Sequence, residues 1–240
     1  MASNGGHVAL ITGAGSGIGR AIAVQLAARG YRLLLVGRRA GPLEETGAML
    51  PGERGIAWRA HSADVGDAAA CARAVDAAVS AFGRLDALVS NAGIAELRTV
   101  AEHSADDVRR TFEVNALGPA WLTAAAWPVF ERQGGGCVVF VSSVASVDPF
   151  PGLGVYGAAK ASLNTLARAC ANEGGAVGLR AFAVAPGAVE TPMLRSMFTP
   201  SDLPARACLT PEQVAAVVVE CITGARDAEN GRTILVPSPG

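Results

Sequence analysis

The sequence predicts an α/β protein, a doubly wound parallel sheet in a single domain spanning residues 1–240. Three observations predict it. Short apolar runs alternate along the chain with stretches of helical period. Runs such as 32–36 (RLLLV) are apolar without alternation, as in strands buried on both faces. The first run ends in a glycine-rich turn that opens straight into a helical segment, the start of a strand–helix–strand unit.

Residues 8–12 form the first strand. A helix over 18–29 keeps Ile18, Ile22, Leu26 and Arg29 near one face, with Gly30 as its stop. The second strand is 32–36, followed by a helix over 40–50 and a third strand at 55–59. An Ala-rich helix covers 67–82 and stops at Gly83, and the fourth strand is 85–90. Ser104 with Asp107 has the capping-box pattern and opens a helix to about residue 130, disturbed midway by Gly118-Pro119. Gly134-Gly135-Gly136 is a turn before the fifth strand, 137–142. A helix follows at 156–172 and a sixth strand at 179–185. Thr210 as N-cap and Pro211 at the first helical position open a helix to about 223, and 233–236 is the seventh strand. In such a sheet, ligands bind beyond the carboxyl ends of the strands.

Composition narrows the function. The 240 residues are 50% apolar and 17% charged, with a mean hydropathy of +0.33, which fits a heavily buried globule. A net charge of −1 gives no footing for a nucleic-acid partner. No apolar run is long enough to span a bilayer, and residues 1–7 lack the basic stretch of a secretory signal. Five cysteines, an odd number without a C-x-x-C pair, point to a reduced, cytoplasmic setting. The three histidines have no metal-ligand spacing, so no metal is expected.

Lys160 is the only lysine, against 19 arginines, and it follows Tyr156, one of two tyrosines, by four residues. Positions i and i+4 share a helix face. An ammonium there would stabilise the ionised phenol and lower its pKa toward the range of proton transfer. The alternative is a solvated helix surface.

Thr12-Gly13-Ala14-Gly15-Ser16-Gly17-Ile18-Gly19 joins the first strand to the first helix. Its glycines let the backbone turn tightly and approach a pyrophosphate, and the helix N-terminus supplies free N–H groups. The spacing is T-G-x-x-x-G-x-G, not G-x-G-x-x-G. In folds of this kind an acidic residue at the end of the second strand holds the ribose hydroxyl of NAD. Here that place is Arg38-Arg39: no carboxylate repels a 2′-phosphate, and two guanidiniums can grip one, which favours NADP (NADPH).

At this point the whole chain resembles the short-chain dehydrogenase/reductase family, in its short single-domain branch. Residues 12–19 look like that family's cofactor turn, and Asp64-Val65 like its adenine-contacting pair. Asn91-Ala92-Gly93 looks like the signature after its fourth strand. Asn115 resembles its catalytic helix asparagine, and Ser143, thirteen residues before Tyr156, its serine. Tyr156 and Lys160 match its Y-x-x-x-K, and Pro186-Gly187-Ala188-Val189-Glu190-Thr191 its nicotinamide-side segment.

The resemblance implies a seven-stranded Rossmann-type sheet and hydride transfer between a nicotinamide and a carbonyl or secondary alcohol. By it, Tyr156 is the proton donor and Lys160 tunes the phenol and holds the ribose. Ser143 hydrogen-bonds the carbonyl, and Asn115 holds a water that connects Lys160 to solvent. It also implies a homo-oligomer, dimer or tetramer, for which the helices over 104–130 and 156–172 suit subunit packing.

Plainer readings stand beside these: Ser142 as the serine, Asn115 as a helix kink, Asn91 as a structural hydrogen-bonder, Asp64 and Thr191 as caps. Residues 144–154 and 188–204 are expected to line the substrate pocket with Val144, Val147, Phe150, Leu153, Met193, Leu194, Met197 and Phe198, which favours an apolar, neutral carbonyl compound. Carrier-protein reductases of the family use basic residues at the pocket mouth. The matching positions, Gly134 and Val177, are not basic, which weakens that substrate. An NAD-linked alcohol dehydrogenase and a non-catalytic NADP-sensing regulator are the rival functions.

Overall fold

Seven strands, all parallel, are ordered β3-β2-β1-β4-β5-β6-β7 in a computed structural model that describes residues 6–51 and 57–239. They are β1 (Val8–Thr12), β2 (Arg32–Gly37), β3 (Trp58–Ser62), β4 (Ala87–Ser90), β5 (Gly136–Val141), β6 (Leu179–Pro186) and β7 (Thr233–Val236). The helices are α1 (Gly17–Ala27), α2 (Ala40–Ala48), α3 (Ala68–Phe82), α4 (Ala105–Phe112), α5 (Gly118–Gln133), α6 (Gly154–Gly174), α7 (Pro192–Arg195) and α8 (Pro211–Thr223). The order reverses between β1 and β4, which opens a crevice at the carboxyl ends beside the glycine turn.

Side chains alternate across the pleat, so β1 serves two cores. Ala9 and Ile11 join Ile22 and Leu26 of α1 and Val214 and Val218 of α8 on one face. Val8 and Leu10 join Phe130 of α5 and Leu163 of α6 on the other. Leu10 and Phe130 are fully buried, and truncating either to alanine would cost about 2–5 kcal/mol.

The expected caps at Ser104, Thr210 and Gly83 are present, and Asp67 and Gln213 add two the sequence reading did not name. Asp67 accepts from the Ala69 N–H, Ser104 and Asp107 form a capping box, as do Thr210 and Gln213, and Gly83 closes α3 with a φ of 78°.

Three expectations are corrected. The third strand lies at Trp58–Ser62, not 55–59. It is the partly exposed edge of the sheet, so its residues (WRAHS) carry no apolar run, and the Trp58 ring is set by packing onto Gly47. Residues 52–56, including the start of the expected strand, lie outside the described residues, as do residues 1–5 of the stretch read as lacking a signal. The fourth strand begins at Ala87 rather than 85, because Leu85 and Asp86 are spent on the loop: Leu85 N–H donates to Gln133, and Asp86 takes the Val8 N–H and Arg84. The helix expected over 104–130 is two helices. A π-turn, Glu113–Leu117, joins them, with the Gly118 N–H reaching back five residues to Glu113. Gly118 sits where a Cβ would lie 2.5 Å from the Val65 carbonyl, so the break admits a close crossing of the chain.

Candidate active site

The glycine turn leaves β1 with Gly13 at φ 65° and enters α1 through Gly17 at φ 51°, both in the left-handed region. A Cβ on Gly15 would stand 2.8 Å from Pro42, and one on Gly19 2.3 Å from the Gly13 carbonyl. Braces hold the turn open. Asn91 Nδ2 donates to the Thr12 carbonyl at 2.9 Å, and Thr12 Oγ1 accepts the N–H groups of Asn91 and Ala92 at 3.0 Å. Arg20 donates to the Gly15 carbonyl at 2.6 Å and to Thr46 at 3.0 Å, while Thr46 donates to the Ala14 carbonyl at 2.9 Å. Ser16, the N-cap of α1, makes no side-chain cap bond and is exposed, so this helix N-terminus is open to an anion.

From this turn two cavities run along the carboxyl ends of the strands, sharing Gly13, Ser16, Ala92 and Gly93. The smaller, about 190 Å³, is edged by Arg38, Arg39, Asp64, Val65 and Arg110. Arg38 and Arg39 are exposed and have no carboxylate partner among the described residues. Asp64 accepts from the Gly66 N–H at 2.9 Å and from Arg110 at 2.6 Å. Burial would raise its carboxyl, but these two bonds hold it below its ordinary value. Asp64 is thus not a helix cap, a task that falls to Asp67. The continuous groove and the cradle that only glycine permits fit an extended dinucleotide.

The larger cavity, about 530 Å³, holds Ser143, Tyr156 and Lys160. Lys160 is 3% exposed, and its Nζ donates to the Val141 carbonyl at 2.7 Å and lies 5.8 Å from the Tyr156 ring centre. Burial pulls this ammonium down to about 8. Burial also pushes the Tyr156 phenol up to about 12, against a lowering contribution from the Ser143 hydroxyl. The expectation that Lys160 lowers the phenol is therefore corrected: loss of water dominates both groups, and Lys160 spends its bond on Val141.

The serines separate clearly. Ser142 is 2% exposed and donates to the Lys160 carbonyl at 3.1 Å, whereas Ser143 lines the cavity and its Oγ accepts the Ala145 N–H at 3.2 Å. Asn115, in the π-turn and fully buried, clasps the Ile94 backbone in both directions, at 3.1 and 2.8 Å. It lies below Gly93, where a Cβ would stand 2.7 Å from Asn115 Oδ1 and 3.5 Å from Lys160 Nζ. Asn91 is structural in its side-chain bonds and also lines the cavity.

Pro186 ends β6, and the Gly187 N–H bonds the Val236 carbonyl at 2.9 Å. Thr191 caps α7 through Leu194 N–H at 3.3 Å and packs against Gly17. Val189 bridges to Leu209, closing the neck of the loop 190–208. Inside it, Arg195 pairs with Glu190 and donates to the Leu203 carbonyl at 2.8 Å. The cavity wall includes Val144, Phe150, Leu153, Met193, Leu194, Met197 and Phe198, with Phe150 and Phe198 edge to face at 5.8 Å. Val147 is corrected: it is 64% exposed and does not line the cavity.

Gly134 and Val177 also need correction. They lie at the amino ends of β5 and β6, away from the cavity, so their lack of charge says nothing about its mouth. Sequence reasoning missed Arg110, which lies 46 residues from Asp64, and Arg20, whose bonds depend on the packing of α2. Thr12 opens the glycine turn in the sequence, but its bracing of Asn91 and Ala92 depends on pairing with a segment 79 residues away.

A model of the short chain dehydrogenase family matches residues 7–202. D-threitol dehydrogenase of Mycolicibacterium smegmatis is 33% identical over 238 residues, covering 96% of this chain and 91% of that protein. The crystal structure of levodione reductase superimposes with a TM-score of 0.89 at 30% identity, covering 96% of this chain and 95% of that one. A 3-ketoacyl-(acyl-carrier-protein) reductase from Brucella melitensis, complexed with NADH, gives 0.88 at 30% identity, covering 97% of both chains.

Proposed function

The chain belongs to the short-chain dehydrogenase family, an oxidoreductase of carbonyl or alcohol groups with a dinucleotide cofactor, and we propose that it uses NADPH to interconvert an apolar ketone or aldehyde and its secondary alcohol. The observation that carries this reading is the meeting of Ser143, Tyr156 and Lys160 in one cavity continuous with the glycine turn.

A nicotinamide bound there supplies the hydride. Gly13, Gly15, Ser16, Gly17, Ile18 and Gly19 would hold the pyrophosphate, with Arg38 and Arg39 on the 2′-phosphate. Asp64 and Val65 would flank the adenine. Asn91, Ala92, Gly93, Pro186, Gly187, Val189 and Thr191 would frame the nicotinamide end. Tyr156 gives its proton to the substrate oxygen. A phenol held near 12 is protonated at neutral pH, the form that reduction needs. The Ser143 hydroxyl donates to the same oxygen and stabilises its growing negative charge. Lys160, titrating near 8, can pass a proton toward Tyr156 and hold the ribose. Asn115 supports this corner from below and stands where a water-borne relay would enter.

Support for a neutral, apolar substrate comes from the charge inventory of the cavity. Among the described residues that line it, the carboxylates are Asp148 and Asp202, the latter spent on the Thr199 N–H and hydroxyl, and the one cation is the buried Lys160. An anionic substrate would meet like charge at the mouth. The exposed Leu117 at the end of the π-turn and the half-exposed Trp121 on α5 support a homo-oligomer. Five unpaired, buried cysteines support a reducing, cytoplasmic setting, and among the described residues no helix is long and apolar enough to cross a membrane.

The test is a panel of ketones, aldehydes and secondary alcohols, followed by absorbance of the reduced nicotinamide with NADPH and NADH in parallel. Turnover of apolar ketones, faster at low NADPH than at low NADH, is expected. Turnover confined to NADH, or to anionic substrates, would overturn the finer reading.

A further inference from the structure

Ser143 stands in extended backbone (φ −162°, ψ 153°) as the N-cap of a single 3₁₀ turn, Val144–Ser146. Its Oγ accepts the Ala145 N–H at 3.2 Å, which leaves the hydroxyl hydrogen free to donate into the cavity. The aim of that hydroxyl therefore depends on the turn, and two side chains hold the turn. Ser146 Oγ donates to the Ser143 carbonyl at 2.6 Å, and Asn164 Nδ2 donates to Ser146 Oγ at 2.8 Å.

Asn164 follows Tyr156 by eight residues and Lys160 by four, on the same face of α6. Close to this anchor the helix touches the turn, where a Cβ on Gly157 would lie 2.3 Å from the Ala145 carbonyl. One further detail marks Asn164. Its Oδ1 is buried and has no hydrogen-bond partner among the described residues. A buried acceptor left unpaired destabilises the fold, so what the amide supplies here beyond an apolar side chain of its size is its N–H bond to Ser146.

We infer that Asn164, acting through Ser146, is a positioning residue that sets the Ser143 hydroxyl against Tyr156, so that one helix face governs the donor, the ammonium and the oxyanion contact together. This rests on the reading of Ser143 as the carbonyl contact.

The experiment is a double-mutant cycle: Asn164→Leu and Ser146→Ala, each alone and combined with Ser143→Ala, assayed with NADPH and the best ketone of the panel. NADPH affinity is measured by nucleotide fluorescence. Each single variant is expected to lower kcat about tenfold and leave NADPH affinity within about twofold, and in the Ser143→Ala background the further loss should vanish. Equal losses in both backgrounds, or undiminished kcat in the single variants, would overturn the inference while Ser143→Ala itself stays impaired. Full turnover by Ser143→Ala would overturn this inference and the reading beneath it. If Asn164→Leu fails to bind NADPH, Ser146→Ala carries the same cycle.

Discussion

The two ends of the groove handle charge in opposite ways. At the Arg38 end, Arg38 and Arg39 are exposed and have no carboxylate partner among the described residues, and Asp64 beside them is held below its ordinary value by a backbone N–H and Arg110. At the Tyr156 end a single ammonium is stripped of water and falls to about 8. A solvated charge gives modest, screened affinity, whereas a desolvated one changes its own protonation. Under the proposed function, selectivity for the cofactor belongs to the first end and proton chemistry to the second, and substitutions at each should separate along that line.

The largest separation is expected of Tyr156→Phe. Turnover should fall about a thousandfold, while NADPH affinity stays within about threefold by fluorescence titration. Loss of both together would break the comparison.

Lys160→Met should also stop turnover, yet stabilise the protein. The ammonium's folded value, about 8, lies below the ordinary 10.5. Between these values the folded protein binds fewer protons than the unfolded chain, so stability rises with pH across that window, and the cost of burying the charge is full below about 8. Removing it should add about 3 kcal/mol at pH 7, roughly 5–10 °C in Tm by calorimetry, and the gain should shrink toward pH 10. A lower Tm at pH 7 would show that the bond to Val141 outweighs the desolvation.

At the other end, replacing Arg38 and Arg39 by alanine should cut the preference for NADPH over NADH by about ten- to a hundredfold, read as the ratio of kcat/KM values, with kcat on saturating NADPH kept. An unchanged ratio would mean that neither guanidinium meets the 2′-phosphate. Smallest is Phe198→Ala, which removes one ring of the edge-to-face pair with Phe150. It should lower kcat/KM for ring-sized ketones roughly two- to tenfold and leave small ketones nearly unaffected.

Most of the sheet was legible because its central strands are buried on both faces and so read as unbroken apolar runs, as in Leu33–Val36 and Val138–Val141. The edge strand β3 was not, since half of it faces water and its register comes from pairing with β2. The π-turn at Asn115 was signalled only by Gly118-Pro119 just after it. That Tyr156 and Lys160 share a face of α6 followed from their four-residue spacing, whereas Ser143, just beyond β5, was singled out by the family resemblance. The direction of the Tyr156 shift did not, because it depends on how much water the fold removes rather than on which residue stands four positions on. Arg110, Arg20 and Asn164 join segments far apart in the chain, and no local pattern announces them.

Desolvation of one ammonium is the premise of this division of labour, and the chain offers a clean way to read it, since Lys160 is its only lysine. Protein labelled with carbon-13 at the lysine ε carbon gives a single side-chain resonance, followed from pH 6 to 11. A midpoint near 8 is expected. A midpoint at or above 10.5, the value of a lysine in water, would contradict it.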